Sequence, residues 1–258
     1  MPTDLPPDYR PPAPRMLDAK RYLDVLRRLL RRSAGPVGIL WALATMVIIA
    51  VSIALASQAV QFFHLGDSPD RSVVIALVVV VLVADIFRKA LYLPLSKLGD
   101  EEYGATGFAE ALRGAAGAMI PVALTHMATT ALLIGAAVIC AIVGVFAIIP
   151  IIIFSFVLAP AIYFAATGRG VGTAIGGAID AARRHGPWIL GVPAIFTCVA
   201  TLFGSLSGVS SLLLALQSLA TTFDGGALHI LQMVMLSLLY GYMRWICVGS
   251  VYVAVDEQ

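Results

Sequence analysis

The stretch Gly114-AAGAMIPVALTHMATTALLIGAAVICAIVGVFAIIPIIIFSFVLAPAIYFAAT-Gly168 contains no Asp, Glu, Lys or Arg and consists almost wholly of Ala, Val, Ile, Leu, Phe and Gly. A bilayer core about 30 Å thick takes roughly 20 apolar residues of helix at about 1.5 Å per residue. The stretch holds two such lengths, 120–142 and 145–165, hinged at Gly144. It predicts a helical hairpin inside a membrane, and the rest of the chain is read on that basis.

Composition agrees. Hydrophobic residues make up 60% of the chain and charged residues 12%, with a mean hydropathy of +0.93. A water-soluble globule carries about 25% charged residues, so that class is excluded. Four further apolar runs complete a set of six spans, at about 38–62, 72–91, 120–142, 145–165, 188–207 and 227–251. Residues 208–223 are Ser- and Leu-rich without charge, which suits a helix that lies at the outer interface or dips into it. The first 32 residues are polar, and the first apolar span is too long for the core of a cleaved leader.

The polar segments set the orientation. Residues 1–16 are rich in proline and predict a disordered cytoplasmic tail ahead of a single membrane domain, 17–258. Across 17–32, Tyr22, Val25, Leu26, Leu29 and Leu30 recur at helical spacing while Lys20, Arg21, Arg27, Arg28, Arg31 and Arg32 fill the other positions. That pattern predicts an interfacial helix whose cations meet anionic lipid headgroups. With this helix inside, fifteen of the 17 Lys and Arg fall on cytoplasmic segments; Arg71 alone lies outside, and Arg244 falls within the sixth span. Both termini are thus expected in the cytoplasm, with Trp188, Tyr240, Tyr242 and Trp245 as an inner aromatic belt. The excess of 14 Arg over three Lys in an Ala/Gly/Val-rich chain suits a bacterial cytoplasmic membrane protein.

A short amphipathic segment precedes each pair of spans: 17–32, 108–113 and 171–184. In the last, Ala174, Ile175, Ala178, Ile179 and Ala182 lie opposite Asp180, Arg183 and Arg184. The expected fold is an all-α polytopic bundle of six transmembrane helices in three hairpins, each preceded by an interfacial helix.

Chemistry-bearing motifs are sparse. His64, His126, His185 and His229 show no spacing that sets two metal ligands on one helical face. Cys140, Cys198 and Cys247 lie far apart within apolar spans, and Gly170, Gly172, Gly176 and Gly177 read as a close-packing stripe rather than a phosphate cradle. No catalytic residue, metal site, cofactor or nucleic-acid partner is expected. Pro150 and Pro193 are each followed by enough helix to suggest a kink, the feature from which transporter sites are built. Asp85, His126 and Arg244 fall at similar depth in the cytoplasmic half of the second, third and sixth spans, and they form the candidate intramembrane polar cluster. A local alternative is that Asp85 is satisfied by Arg88 and Lys89, three and four residues on.

Two stretches carry a resemblance, MLDAKRYLDVLRRLLRR at 16–32 and LAPAIYFAATGRGVGTAIGGAIDAARRHGPWILG at 158–191. The chain resembles the membrane domain found beside glycerophosphodiester phosphodiesterases and in stand-alone bacterial six-span proteins. The framework of Pro160, Gly168, Gly170 and Ala174 fits, while Ala166 and Thr167 stand where that family has an acidic residue and Ala178-Ile179-Asp180 replaces its basic-and-Ser run. The resemblance implies a non-catalytic membrane module, since the family's chemistry belongs to a separate soluble domain with no counterpart here. The function expected is therefore a scaffold or assembly module acting on lipids or partner proteins, with a small-solute or ion permease as the alternative.

Overall fold

The computed structural model describes residues 17–65, 71–99, 106–143, 148–218 and 224–257, with side chains described at all of these except 56–65, 140–143, 148, 200–218 and 224–233. The expected proline-rich tail, the hinge at Gly144 and the side chains of His64, Cys140 and His229 lie outside the described residues. Every described element is helical: α1 Ala19–Arg32, α2 Pro36–Leu65, α3 Arg71–Ala90, α4 Tyr92–Gly99, α5 Phe108–Val143, α6 Ile148–Ala166, α7 Val171–Ser218 and α8 Asp224–Asp256.

Local chemistry explains the boundaries. Ser33 closes α1 with its N–H on the Leu29 carbonyl at 2.8 Å, and Arg31 and Arg32 in the last turn suit the negative end of the helix dipole. Pro36 then opens α2 at the position where a missing N–H costs nothing. At the end of α6 the Gly168 N–H reaches the Ala165 carbonyl and the Arg169 N–H the Phe164 carbonyl, with Gly168 at φ +101. This double closure needs a left-handed residue, which is why glycine stands there.

Among the described residues four helices are long and apolar enough to cross a membrane, over Pro36–Leu55, Phe108–Ile139, Ile149–Ala166 and Val234–Asp256. The other two expected spans differ for visible reasons. α3 carries Asp85, Arg88 and Lys89 among its last six residues, and the apolar part of α7 runs into residues whose side chains are not described.

The structure departs from the expected repeat in three places. Residues 108–113 are not a separate surface helix but the first turns of α5, because no residue before Pro121 breaks the helical run. The segment 92–99, read as connection, forms α4, with Leu91, Leu95 and Leu98 fully or almost fully buried at helical spacing and Pro94 in its first turn. Residues 171–184 run into α7 with one kink, at His185 (φ −123, ψ 30) just before Gly186-Pro187. Pro187 has no N–H for the carbonyl four residues back, so the break falls there. Pro150 sits in the first turn of α6, where proline is accommodated without a kink, and Pro193 lies inside α7, where the backbone dihedrals stay helical. Residues 208–218 continue α7 as helix.

Among the described side chains the core gathers at one end of the bundle. Buried side chains come from α1, the first turns of α2, α4, the first half of α5, the last turns of α6, the region around the α7 kink and 245–254 of α8. The opposite halves of α2, α3 and α5 display exposed Ile, Leu, Val and Met, as helices facing lipid do. A ring cluster fills the core's centre: Trp41 stacks on Trp245 at 5.7 Å, and Tyr92 sits at 5.9 Å and 6.0 Å from Tyr163 and Tyr252. The expected aromatic belt is thus largely internal, since Trp245 is buried and Trp188 packs on Tyr22 at 4.9 Å. The apolar stripe of α1 has the same fate: Tyr22, Val25 and Leu29 are buried against protein rather than offered to lipid.

Candidate functional site

The sequence-derived cluster is reached from two helices. On α3, Asp85 accepts from Arg88 Nη2 at 2.6 Å through Oδ1 and from Lys89 Nζ at 2.5 Å through Oδ2. The three- and four-residue spacings stack these side chains on one face, and both cations stand in the last turn of α3, where the helix dipole favours them. From α5, His126 turns its ring to the same ammonium, with Nε2 at 3.1 Å and Nδ1 at 3.4 Å from Lys89 Nζ. An ammonium only donates, so it selects the unprotonated ring nitrogen as its partner.

Lys89 therefore joins Asp85 to His126 and ties α3 to α5. Arg244 is placed apart: it is exposed, has no ion pair or hydrogen bond with either residue, and acts electrostatically on the buried phenols of Tyr92 and Tyr252. Asp85 is satisfied by its own helix, as the local alternative describes. Two-thirds of the proposed cluster meets through Lys89, which the sequence reading had only as a neighbour of Asp85.

A second locus was missed altogether. The end of α8 brings Asp256 and Glu257 against α1, α4 and α6 around an open cavity of about 800 Å³. Arg21 donates to the Glu257 carbonyl at 2.9 Å and lies 3.5 Å from its carboxylate, with Arg28 at 3.9 Å. Asp256 accepts from Arg169 and from the Tyr163 hydroxyl, the latter at 3.4 Å. Asp18, Lys20, Asp24 and Ser96 complete the polar wall. The available signal was the acidic pair after the sixth span, facing an inner surface rich in Arg.

Two buried groups flank this locus. The Leu17 N–H donates to His185 Nδ1 at 3.2 Å, pinning the start of α1 to the α7 kink. Burial lowers the His185 pKa and Arg184 adds to the effect, with Asp180 opposing, so the ring is held neutral as that acceptor role requires. Burial likewise pushes the Tyr92 phenol up to about 12, partly offset by Arg244 and Arg88. Among the described residues no three His, Cys, Asp or Glu gather as metal ligands would. No family model, curated protein or solved structure matches the chain.

Proposed function

We propose that the chain is a multi-pass protein of a bacterial cytoplasmic membrane that serves as a non-catalytic scaffold or assembly module for lipids or partner proteins. Its six spans form three hairpins, α2 with α3, α5 with α6, and the part of α7 beyond His185 with α8. α1, α4, the first part of α7 and the end of α8 face the cytoplasm. The observation that carries this reading is the interlocked inner end: one core draws on α1, α4 and α8 beside an open, charged cavity, while the described outer parts of α2, α3 and α5 carry exposed Ile, Leu, Val and Met. Such a body offers a rigid face at the membrane surface. The basic asymmetry and the resemblance described above point the same way.

A permease is the second reading, favoured by the Asp85–Lys89–His126 link between α3 and α5. Flux assays in proteoliposomes separate the two. The scaffold reading expects ion and solute leak equal to that of protein-free vesicles; a flux that Asp85→Asn abolishes would establish the permease. Threading is tested by cysteine labelling at Ser68 and Gly107, which is exposed with open space at its Cβ position. Opposite accessibility is expected, and labelling of both from one side would overturn the six-span arrangement.

A further inference from the structure

We infer that one edge of α1, formed by Leu23 and Leu30 beside Lys20, Arg27 and Arg31, is a docking surface for the anionic inner leaflet. The inference deepens the scaffold reading by naming the lipid class and the residues, and it rests on α1 lying at the cytoplasmic surface.

The six cations of α1 divide into two stripes with the same spacing, one residue apart. Arg21, Arg28 and Arg32 turn towards protein: the first two hold Glu257, and Arg32 donates to the Leu98 carbonyl at 3.1 Å. Lys20, Arg27 and Arg31 are exposed. At 100° per residue, Leu23 and Leu30 fall on the flank of this second stripe away from Arg21 and Arg28, and they are 57% and 37% exposed. They are not leftovers of the core stripe, because Tyr22, Val25 and Leu29 already fill the contact with the bundle. α1 therefore has two apolar edges, one consumed by protein and one unpartnered beside three cations.

Its position supplies the partner. The Ser33 hydroxyl meets the Tyr242 hydroxyl at 2.9 Å, whereas Arg21 meets Glu257, so α1 slants along the inner part of a membrane-crossing helix. Tyr242 lies 14 residues before Asp256, which at about 1.5 Å per residue places the end of α1 roughly 21 Å up that helix. Leu23 lies towards the Glu257 end of this rise and Leu30 towards its upper end, so the edge runs from the headgroup boundary into the acyl chains, and the long cationic side chains beside it reach back to lipid phosphates. Asp24, the exposed carboxylate of α1, lies on the cavity side, and Lys20 borders both faces.

The test uses the full chain with Cys140→Ala and Cys198→Ala, leaving buried Cys247 in place. It is reconstituted in phosphatidylcholine vesicles with or without phosphatidylglycerol, with single nitroxide labels at position 23, 30 or 24. In anionic vesicles, labels at 23 and 30 are expected to be relaxed by oxygen more than by a water-soluble nickel chelate, and the label at 24 the reverse. The oxygen preference at 23 and 30 is expected to fall in pure phosphatidylcholine and in the Lys20→Gln/Arg27→Gln/Arg31→Gln variant. Equal nickel access at 23, 30 and 24 would overturn the docking edge. Immobilised labels shielded from both reagents would mean a protein occupant and also overturn it. An oxygen preference unchanged by lipid charge and by the triple variant would overturn the anionic specificity. Labelling at Gly107 from the outer side would show instead that the threading beneath the scaffold reading is wrong.

Discussion

Gly249 marks a close approach of α8 to α4, and adding one carbon there tests whether that contact is real. A Cβ at this position would lie 2.7 Å from Leu95 Cδ2 and 3.5 Å from Tyr92 Cε1. Leu95 is fully buried, so its methyl has no open space to move into. Overpacking of this kind costs about 1–3 kcal/mol. For a chain of this size each kcal/mol shifts a melting midpoint by about 2–4 °C, so Gly249→Ala is expected to lower it by roughly 2–12 °C. Leu95→Ala alone should cost about 2–5 kcal/mol through the cavity it leaves. In the double variant the new methyl occupies part of that cavity and meets no Cδ2, so the pair should fall short of the sum by about 1 kcal/mol or more. The assay is the thermal midpoint of detergent-solubilised protein followed by size-exclusion fluorescence. A Gly249→Ala protein as stable as wild type, or strict additivity with Leu95→Ala, would refute the α4–α8 packing.

Other expectations follow from the polar contacts. Because burial depresses the His185 pKa below its ordinary value near 6.5, its contribution to stability is complete above that value and is lost as pH falls through the lower folded one. Acidification from pH 7.5 to 5 should therefore loosen the start of α1, seen as a smaller hydrogen-exchange protection factor at Leu17 once the intrinsic pH dependence is divided out, and His185→Gln should flatten that dependence. Since Asp85 is held by Arg88 and Lys89, Asp85→Asn and Arg244→Gln should be additive in stability to within about 0.5 kcal/mol, whereas Asp85→Asn and Lys89→Met should couple. Non-additivity with Arg244 would show contact that the structure does not place there. Tyr242→Phe removes one partner of the Ser33 hydroxyl and is expected to cost about 1 kcal/mol, measured as the same thermal midpoint; an unchanged midpoint would remove that bond from the account of how α1 is held.

What could be read in the residues is what depends on distance along the chain. Apolar run length marks the long helices, and counting along them sets Asp85 and His126 at one depth, a spacing compatible with both reaching Lys89. Counting does not give the azimuth at which a helix faces its neighbours, and that is why Arg244 was grouped with residues it does not touch. The α1 stripe was legible as amphipathic, but whether Tyr22 and Leu29 meet lipid or protein depends on α8, which lies more than 200 residues away. The helix α4 carried a readable signal in Leu91, Leu95 and Leu98, masked by Pro94, which is harmless in a first turn. The cavity around Asp256 and Glu257 left no local pattern, because its walls come from α1, α4, α6 and α8.

The bond between Arg21 and Glu257 spans 236 residues, so the two sides of this contact are synthesised far apart in time. At about 5–20 residues per second, α1 leaves the ribosome roughly 12–47 s before its partner is made. During that interval the part of its stripe of Tyr22, Val25 and Leu29 that packs on α8 has no protein to cover it, although α4 and Trp188, which also meet α1, are made earlier. The α1–α8 part of the core therefore closes only when the last helix is complete, and chains cut short of α8 would leave that face of α1 without its partner.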